Sequence, residues 1–178
     1  FEDQDHLAHT LNGDVSKTCG SAVKITIIPA HAFTSQTIKE LDGVDLDRQE
    51  IEITAYQPDP SLLKVKDSLG MVTETLRSRL LKTNCPVTNQ PDWACLQIAY
   101  RGQAIDHPAL LKYIVSYRMH SGFHEQCVEQ IFMDLMRMCK PEALSVYARY
   151  TRRGGLDINP WRTTLGTPMP APWRTARQ

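Results

Sequence analysis

The sequence predicts an α+β fold on three observations. A Thr-rich stretch of mixed polarity over residues 72–82 and an alternating one over 96–101 flank a proline-stiffened loop, which together read as an antiparallel hairpin. Two helical stretches follow. In the second, Val128, Ile131, Phe132, Leu135 and Cys139 fall at i, i+3, i+4, i+7 and i+11, a 3.6-residue period. Two more extended stretches, 144–151 and 156–159, close a unit whose order is strand, strand, helix, helix, strand, strand.

Leu7, Leu11 and Val15 recur every four residues, a narrow helical stripe that Gly20 terminates. Residues 23–27 and 50–55 alternate as half-buried strands do, with a polar, loop-like excursion over 29–47 between them and Pro58-Asp59-Pro60 as a stop. Residues 67–70 read as a joint. After the hairpin, Asp106 is the N-cap of a helix that carries His107-Pro108 in its first turn and runs to about His120. Ser121-Gly122 breaks it, a second helix starts near Phe123, and Lys140-Pro141 stops that one. Gly154-Gly155 turns the last strand pair, and residues 163–178, rich in proline and basic side chains, form a surface-bound or loose tail. The opening helix echoes the later one: Asp14, Val15 and Cys19 match Asp134, Leu135 and Cys139 at a constant offset of 120. That is either internal duplication or the chance likeness of two helix-strand units.

Composition narrows the function. Twenty basic residues balance twenty acidic ones in 178, so no electrostatic footprint for nucleic acid or an anionic membrane is present. No apolar run approaches a membrane span, and no signal-peptide pattern opens the chain. Five cysteines (Cys19, Cys85, Cys95, Cys127, Cys139) include no C-x-x-C pair; this speaks against a disulfide scaffold and for a reducing cytoplasm. Zinc held by Cys85, Cys95 and His124 has no recognised ligand spacing, so no metal is expected.

The chemistry gathers around Cys85. It follows a strand, sits in a loop stiffened by Pro86 and Pro91, and has Asp92 seven residues on. A tuned thiolate is a nucleophile and a carboxylate can move a proton, yet a cysteine in a cytosolic chain is more often a small buried hydrophobe. Phe123-His124-Glu125 opens a helix, where Glu125 suits the positive end of the dipole as well as a ligand. Arg153-Gly154 suits both a phosphate contact and an ordinary hairpin turn.

Residues 80–92 (LLKTNCPVTNQPD), 117–127 (YRMHSGFHEQC) and 145–161 (SVYARYTRRGGLDINPW) resemble, in that order, the NADPH-dependent 7-cyano-7-deazaguanine reductases of the queuosine pathway in their two-module form. The resemblance implies a tunnelling fold, an antiparallel sheet with two helices on one face. It implies the back half of a first module over residues 1–67, a catalytic module over 68–162 and a tail over 163–178. It implies reduction of the nitrile to an aminomethyl group with two NADPH through a thioimide on Cys85. Asp92, at the end of the hairpin loop and buried beside Trp93, would be the acid; His124, Glu125 and Phe123 would hold the deazaguanine, and Arg153 and Gly154 would contact NADPH. The partners implied are the small-molecule substrate, the protein's own N-terminal module and a second copy of the chain. Cys127 is either a buried hydrophobe or a disulfide partner for Cys85. One departure stands out. The family's Glu-Ser-Lys-Ser-Leu-Lys element, which serves substrate and NADPH, is replaced here by Asp106-His107-Pro108-Ala109-Leu110-Leu111. The site is therefore expected to need a segment beyond these residues. The competing classes are a non-catalytic module binding a purine or pterin, which needs neither Cys85 nor Asp92, and a cysteine-dependent nitrile hydrolase, which consumes no NADPH.

Overall fold

A computed structural model describes residues 1–66, 70–164, 166, 170 and 173–178. The expected joint at 67–70 lies largely outside them. The chain divides into two units, Phe1–Thr37 and Ile38–Gln178.

In the first unit α1 spans Gln4–Cys19. Asp3 caps it by accepting from the His6 N–H at 2.8 Å, and Gly20, at φ 64°, ends it in the left-handed conformation glycine tolerates. None of its residues is buried. Residues 23–27 do not form the expected strand. Their exposure alternates as the sequence suggests, but no ladder pairs them. Alternation dictates an extended, one-sided segment; a strand also needs a neighbour for its N–H and C=O groups.

The second unit is an α+β layer built on one sheet. Its strands are β1 Val44–Asp45, β2 Met71–Asn84, β3 Pro91–Gln103, β4 Ala143–Tyr150 and β5 Trp161–Thr163, hydrogen-bonded in chain order. All pairs are antiparallel except β1 with β2. The two helices are α2 His107–Ser116 and α3 His124–Cys139. Leu76, Leu96, Ile98 and Val146 on the sheet share one buried cluster with Leu110, Ile114, Ile131 and Leu135 on the helices. The opposite face carries a smaller cluster of Leu41, Cys95 and Tyr147 with Trp161 against it.

Local chemistry explains the irregularities. β2 bulges between Ser78 and Leu81, and Asp47 accepts there from the Ser78 hydroxyl at 2.6 Å and the Arg79 N–H at 3.0 Å, replacing the lost ladder bonds. Asp106 caps α2 as expected, accepting from the Ala109 N–H at 2.9 Å. Residues 50–55 form no strand. Ile51 and Ile53 still pack against the main cluster, so the alternation is real and only the ladder is missing. Residues 156–159 likewise do not pair as a strand beyond an isolated Arg153–Leu156 bridge, and the return strand forms later, at Trp161. Asp157 is committed there to side-chain bonds with Arg152, Asn159 and Gln178. The tail is bound at its end. Thr175 is buried, Arg177 donates to the Arg79 carbonyl at 2.9 Å, and Gln178 donates to the Tyr150 carbonyl at 3.1 Å.

Candidate active site

The β2–β3 hairpin ends in a closed turn. The Cys85 N–H donates to the Gln90 carbonyl and the Asn89 N–H to the Cys85 carbonyl, both at 2.9 Å. Cys85 thus stands where an N-cap stands, with Pro86 in the first position, whose missing N–H costs nothing there, and Val87 and Thr88 next. Asn89, at φ 55°, closes the turn. The thiol feels the donors this geometry leaves unspent. Its pKa falls from the ordinary 9.0 to about 6, through the Thr88 side chain first, then the Thr88 and Val87 backbone and the Arg153 side chain.

The segment before α3 is laid against the same turn. The Asn84 N–H donates to the His120 carbonyl at 2.8 Å and the Gly122 N–H to the Asn84 carbonyl at 3.1 Å, a parallel bridge at Ser121. This brings the start of α3 beside Cys85. Cys85, Asp92, Phe123, His124, Glu125 and Arg153 line one cavity of about 170 Å³, together with Pro86, Gly122 and Ile158. Six of the seven residues expected from sequence meet there; Gly154 is not in the wall.

Asp92 differs from expectation in two ways. It belongs to β3, paired with Thr83, and not to the loop. Trp93 does not cover it either: successive side chains of a strand face opposite ways, and Trp93 instead meets Arg118, 5.1 Å from its ring, and Arg177. What surrounds the Asp92 carboxyl, 2% exposed, is His124, with Nε2 3.3 Å from Oδ2, and Arg153, with Nε 2.9 Å from Oδ1. The Arg153 contact is an ion pair without hydrogen-bond alignment, which leaves Oδ1 without such a partner. The His124 ring stacks on Tyr150 at 3.8 Å and 13°, and its buried Nδ1 is also without a partner. His124 Nδ1, buried beside the cavity and without a partner, is open to a ligand or water. Glu125 is exposed at the rim and forms no hydrogen bond or ion pair among the described residues; Phe123 is half exposed beside it.

Arg153 faces the cysteine turn. Its Nη1 donates to Gln90 Oε1 at 2.9 Å and Thr88 Oγ1 at 3.3 Å. Cys127 is fully buried in α3, outside the cavity wall, and all five cysteines are free. Cys95 lies with the cluster on the opposite face, away from His124. Among the described residues no group of three or more His, Cys, Asp or Glu is placed to hold a metal ion, and no helix is long and apolar enough to cross a membrane. Gly122 and Thr88 were not anticipated. For Thr88 a signal existed: Cys-Pro-x-Thr puts it at the third position of a turn that Cys85 opens.

Residues 91–167 match the family described as QueF-like protein. Over all 178 residues the chain is 54% identical to proteins of Burkholderia lata and Paraburkholderia phymatum, each named NADPH-dependent 7-cyano-7-deazaguanine reductase. It spans 65% of their length. A solved structure, the archaeosine synthase QueF-Like in the apo form, is 17% identical and aligns with 55% of this chain and 96% of its own at a TM-score of 0.47, a distant likeness.

Proposed function

We propose that this chain carries the thiol chemistry of a nitrile reductase that converts 7-cyano-7-deazaguanine to 7-aminomethyl-7-deazaguanine with two NADPH, in queuosine formation. The observation that carries the reading is the convergence of an acidified thiol, a buried carboxyl paired with histidine, and a free Glu125 on one cavity. A deazaguanine edge presents neighbouring N–H donors, which a carboxylate accepts in parallel, and Phe123 offers a ring for stacking. The Cys85 thiolate adds to the nitrile carbon, forming an S–C bond while one C–N π pair moves to nitrogen. A proton arriving by way of Asp92, whose other partner is His124, completes a thioimide. Placing that proton is typically worth about 10² to 10⁴ in rate.

Against NADPH the described residues fit only in part. Arg153 and the glycine pair suit a phosphate, but a cavity of about 170 Å³ has no room for a dinucleotide, and Asp106, where the resemblance places a cofactor element, is spent capping α2 and pairing with Lys66. The remainder of a longer protein completes the site in this reading. Residues 1–67 are the back half of a first module and 68–162 a catalytic module of the tunnelling fold, working as a cytoplasmic homo-oligomer. The strand–strand–helix–helix–strand–strand order over residues 71–163 supports the second of these modules.

The test is intact-mass and peptide analysis of the full-length protein with 7-cyano-7-deazaguanine and no NADPH. One substrate mass on the Cys85 peptide is expected, released as amine when NADPH is added. Label on Cys95 or Cys127, full turnover by Cys85→Ala, or ammonia release without NADPH oxidation overturns the reading.

A further inference from the structure

We propose that Arg153 is a positioning residue for the thiol chemistry: one guanidinium ties the Cys85 turn to the Asp92 carboxyl and holds nucleophile and carboxyl in register across the cavity. The proposal rests on the roles given to Cys85 and Asp92 above. It goes beyond the cofactor contact that the resemblance implies for Arg153.

Three contacts carry it. Nη1 reaches Gln90 at 2.9 Å and Thr88 at 3.3 Å, both in the turn that Cys85 opens, while Nε lies 2.9 Å from Asp92 on β3. The side chain is presented by a turn of fixed shape. The Arg153 N–H donates to the Leu156 carbonyl at 2.9 Å and the Leu156 N–H to the Arg153 carbonyl at 3.0 Å. Gly154 at φ 58° and Gly155 at φ 84° occupy the two left-handed positions between them, the glycine-demanding geometry of a two-residue hairpin. A planar fork can grip several acceptors at once, whereas a lysine ammonium is a single point charge.

The surroundings of Cys85 show why the fork matters. The charged and titratable groups around it are Asp92 from β3, His124 and Glu125 from the start of α3, and Arg153 from the turn. His120, from the segment before α3, faces Gly122 in the same wall. Burial pulls the His120 pKa down, favouring its neutral form. Arg153 is the permanent cation of the set. Removing it leaves the thiol facing two carboxyl groups, and the turn loses its tie to β3.

The experiment reads the thiol without substrate or cofactor. Alkylation of Cys85 by iodoacetamide in the full-length protein is followed by peptide mass spectrometry from pH 5 to 9. The wild-type inflection is expected near about 6. Arg153→Met should move it upward; a rise of one unit leaves about a third of the thiolate at pH 6.5. It should remain below the free-thiol value, since the Thr88 and Val87 donors stay. Arg153→Lys, which keeps charge without the fork, should recover part of the shift and part of kcat. If Arg153→Met loses its far-UV spectrum, Arg153→Gln is read in the same way. A variant profile superimposed on wild type, with only the KM for NADPH raised, overturns the proposal and leaves a cofactor contact. A moved profile in a protein that forms no nitrile adduct overturns the functional reading and leaves Arg153 positioning a thiol of another chemistry.

Discussion

Cys85 and Cys127 are both nearly sealed from solvent, 7% and 0% exposed, yet their thiols are driven in opposite directions. Cys85 falls to about 6, and burial pushes Cys127 up to about 11. The difference lies in how deeply each thiol is desolvated and which donors reach it. Cys127 is inside α3, where its own N–H is spent on the Phe123 carbonyl at 3.0 Å, and desolvation in the main cluster outweighs the hydrogen bonds it receives from the Thr83 and Tyr150 side chains. Asp92 and Glu125 add like-charge repulsion against its thiolate. Cys85 opens a turn whose next amides are unspent, with a hydroxyl and a guanidinium added. Two hydroxyls do not offset desolvation in the core, whereas a hydroxyl, two amides and a guanidinium prevail at the cavity, where desolvation is the least of the influences on Cys85.

The largest expected consequence is selectivity. At pH 7 the thiolate fractions of the two cysteines differ by about 10⁴ on these values. Intrinsic nucleophilicity falls with pKa and returns about 10² of that. Iodoacetamide should therefore modify Cys85 at least about a hundredfold faster than Cys127, before access widens the gap. Comparable labelling of both in the folded protein would break the comparison.

Gly122 is the wall between the two thiols and gives the next effect. It lines the Cys85 cavity, and a Cβ built on it would lie 2.8 Å from His120 Nε2 and 3.3 Å from Cys127 Sγ. His120 must move for Gly122→Ala to fit, and its carbonyl is what the Asn84 N–H, one residue before Cys85, bonds to. Gly122→Ala should cost about 1–3 kcal/mol, as overpacking does, read as a lower denaturation midpoint. It should also slow Cys85 alkylation at constant pH. An unchanged midpoint would mean that His120 yields freely and the wall is soft.

Much of this was legible in the sequence, and the boundary of legibility has a physical cause. Local signals survived: the hairpin, the Asp106 cap, the period of α3, and three motifs that turn out to share one cavity. What failed were inferences about partners. Residues 23–27 and 50–55 alternate correctly but find no ladder, because alternation reports a buried side and not a neighbouring strand. Asp92 was expected in the loop beside Trp93; pairing with Thr83 extends β3 through it and sends Trp93 to the other face. The reach of Arg153 to Thr88 and Gln90, residues 65 and 63 positions away, is a tertiary fact that no spacing encodes.

The smallest expected effect sharpens the comparison through stability. Cys85 has a lowered folded pKa, so its contribution is present above the ordinary 9.0 and is lost as pH falls through about 6. Cys127 has a raised one, so its contribution is intact below 9.0 and is lost as pH rises toward about 11. The two windows meet without overlapping. Thermal melts of wild type, Cys85→Ser and Cys127→Ser from pH 5 to 10 should show it. The gap between wild type and Cys85→Ser should widen from pH 6 to 9. The gap to Cys127→Ser should stay constant to about pH 9 and narrow above it, by at most about 1.4 kcal/mol per pH unit. A Cys85→Ser gap that is flat across pH 6 to 9 would mean that the turn does not hold a thiolate, and the contrast between the two cysteines would reduce to access alone.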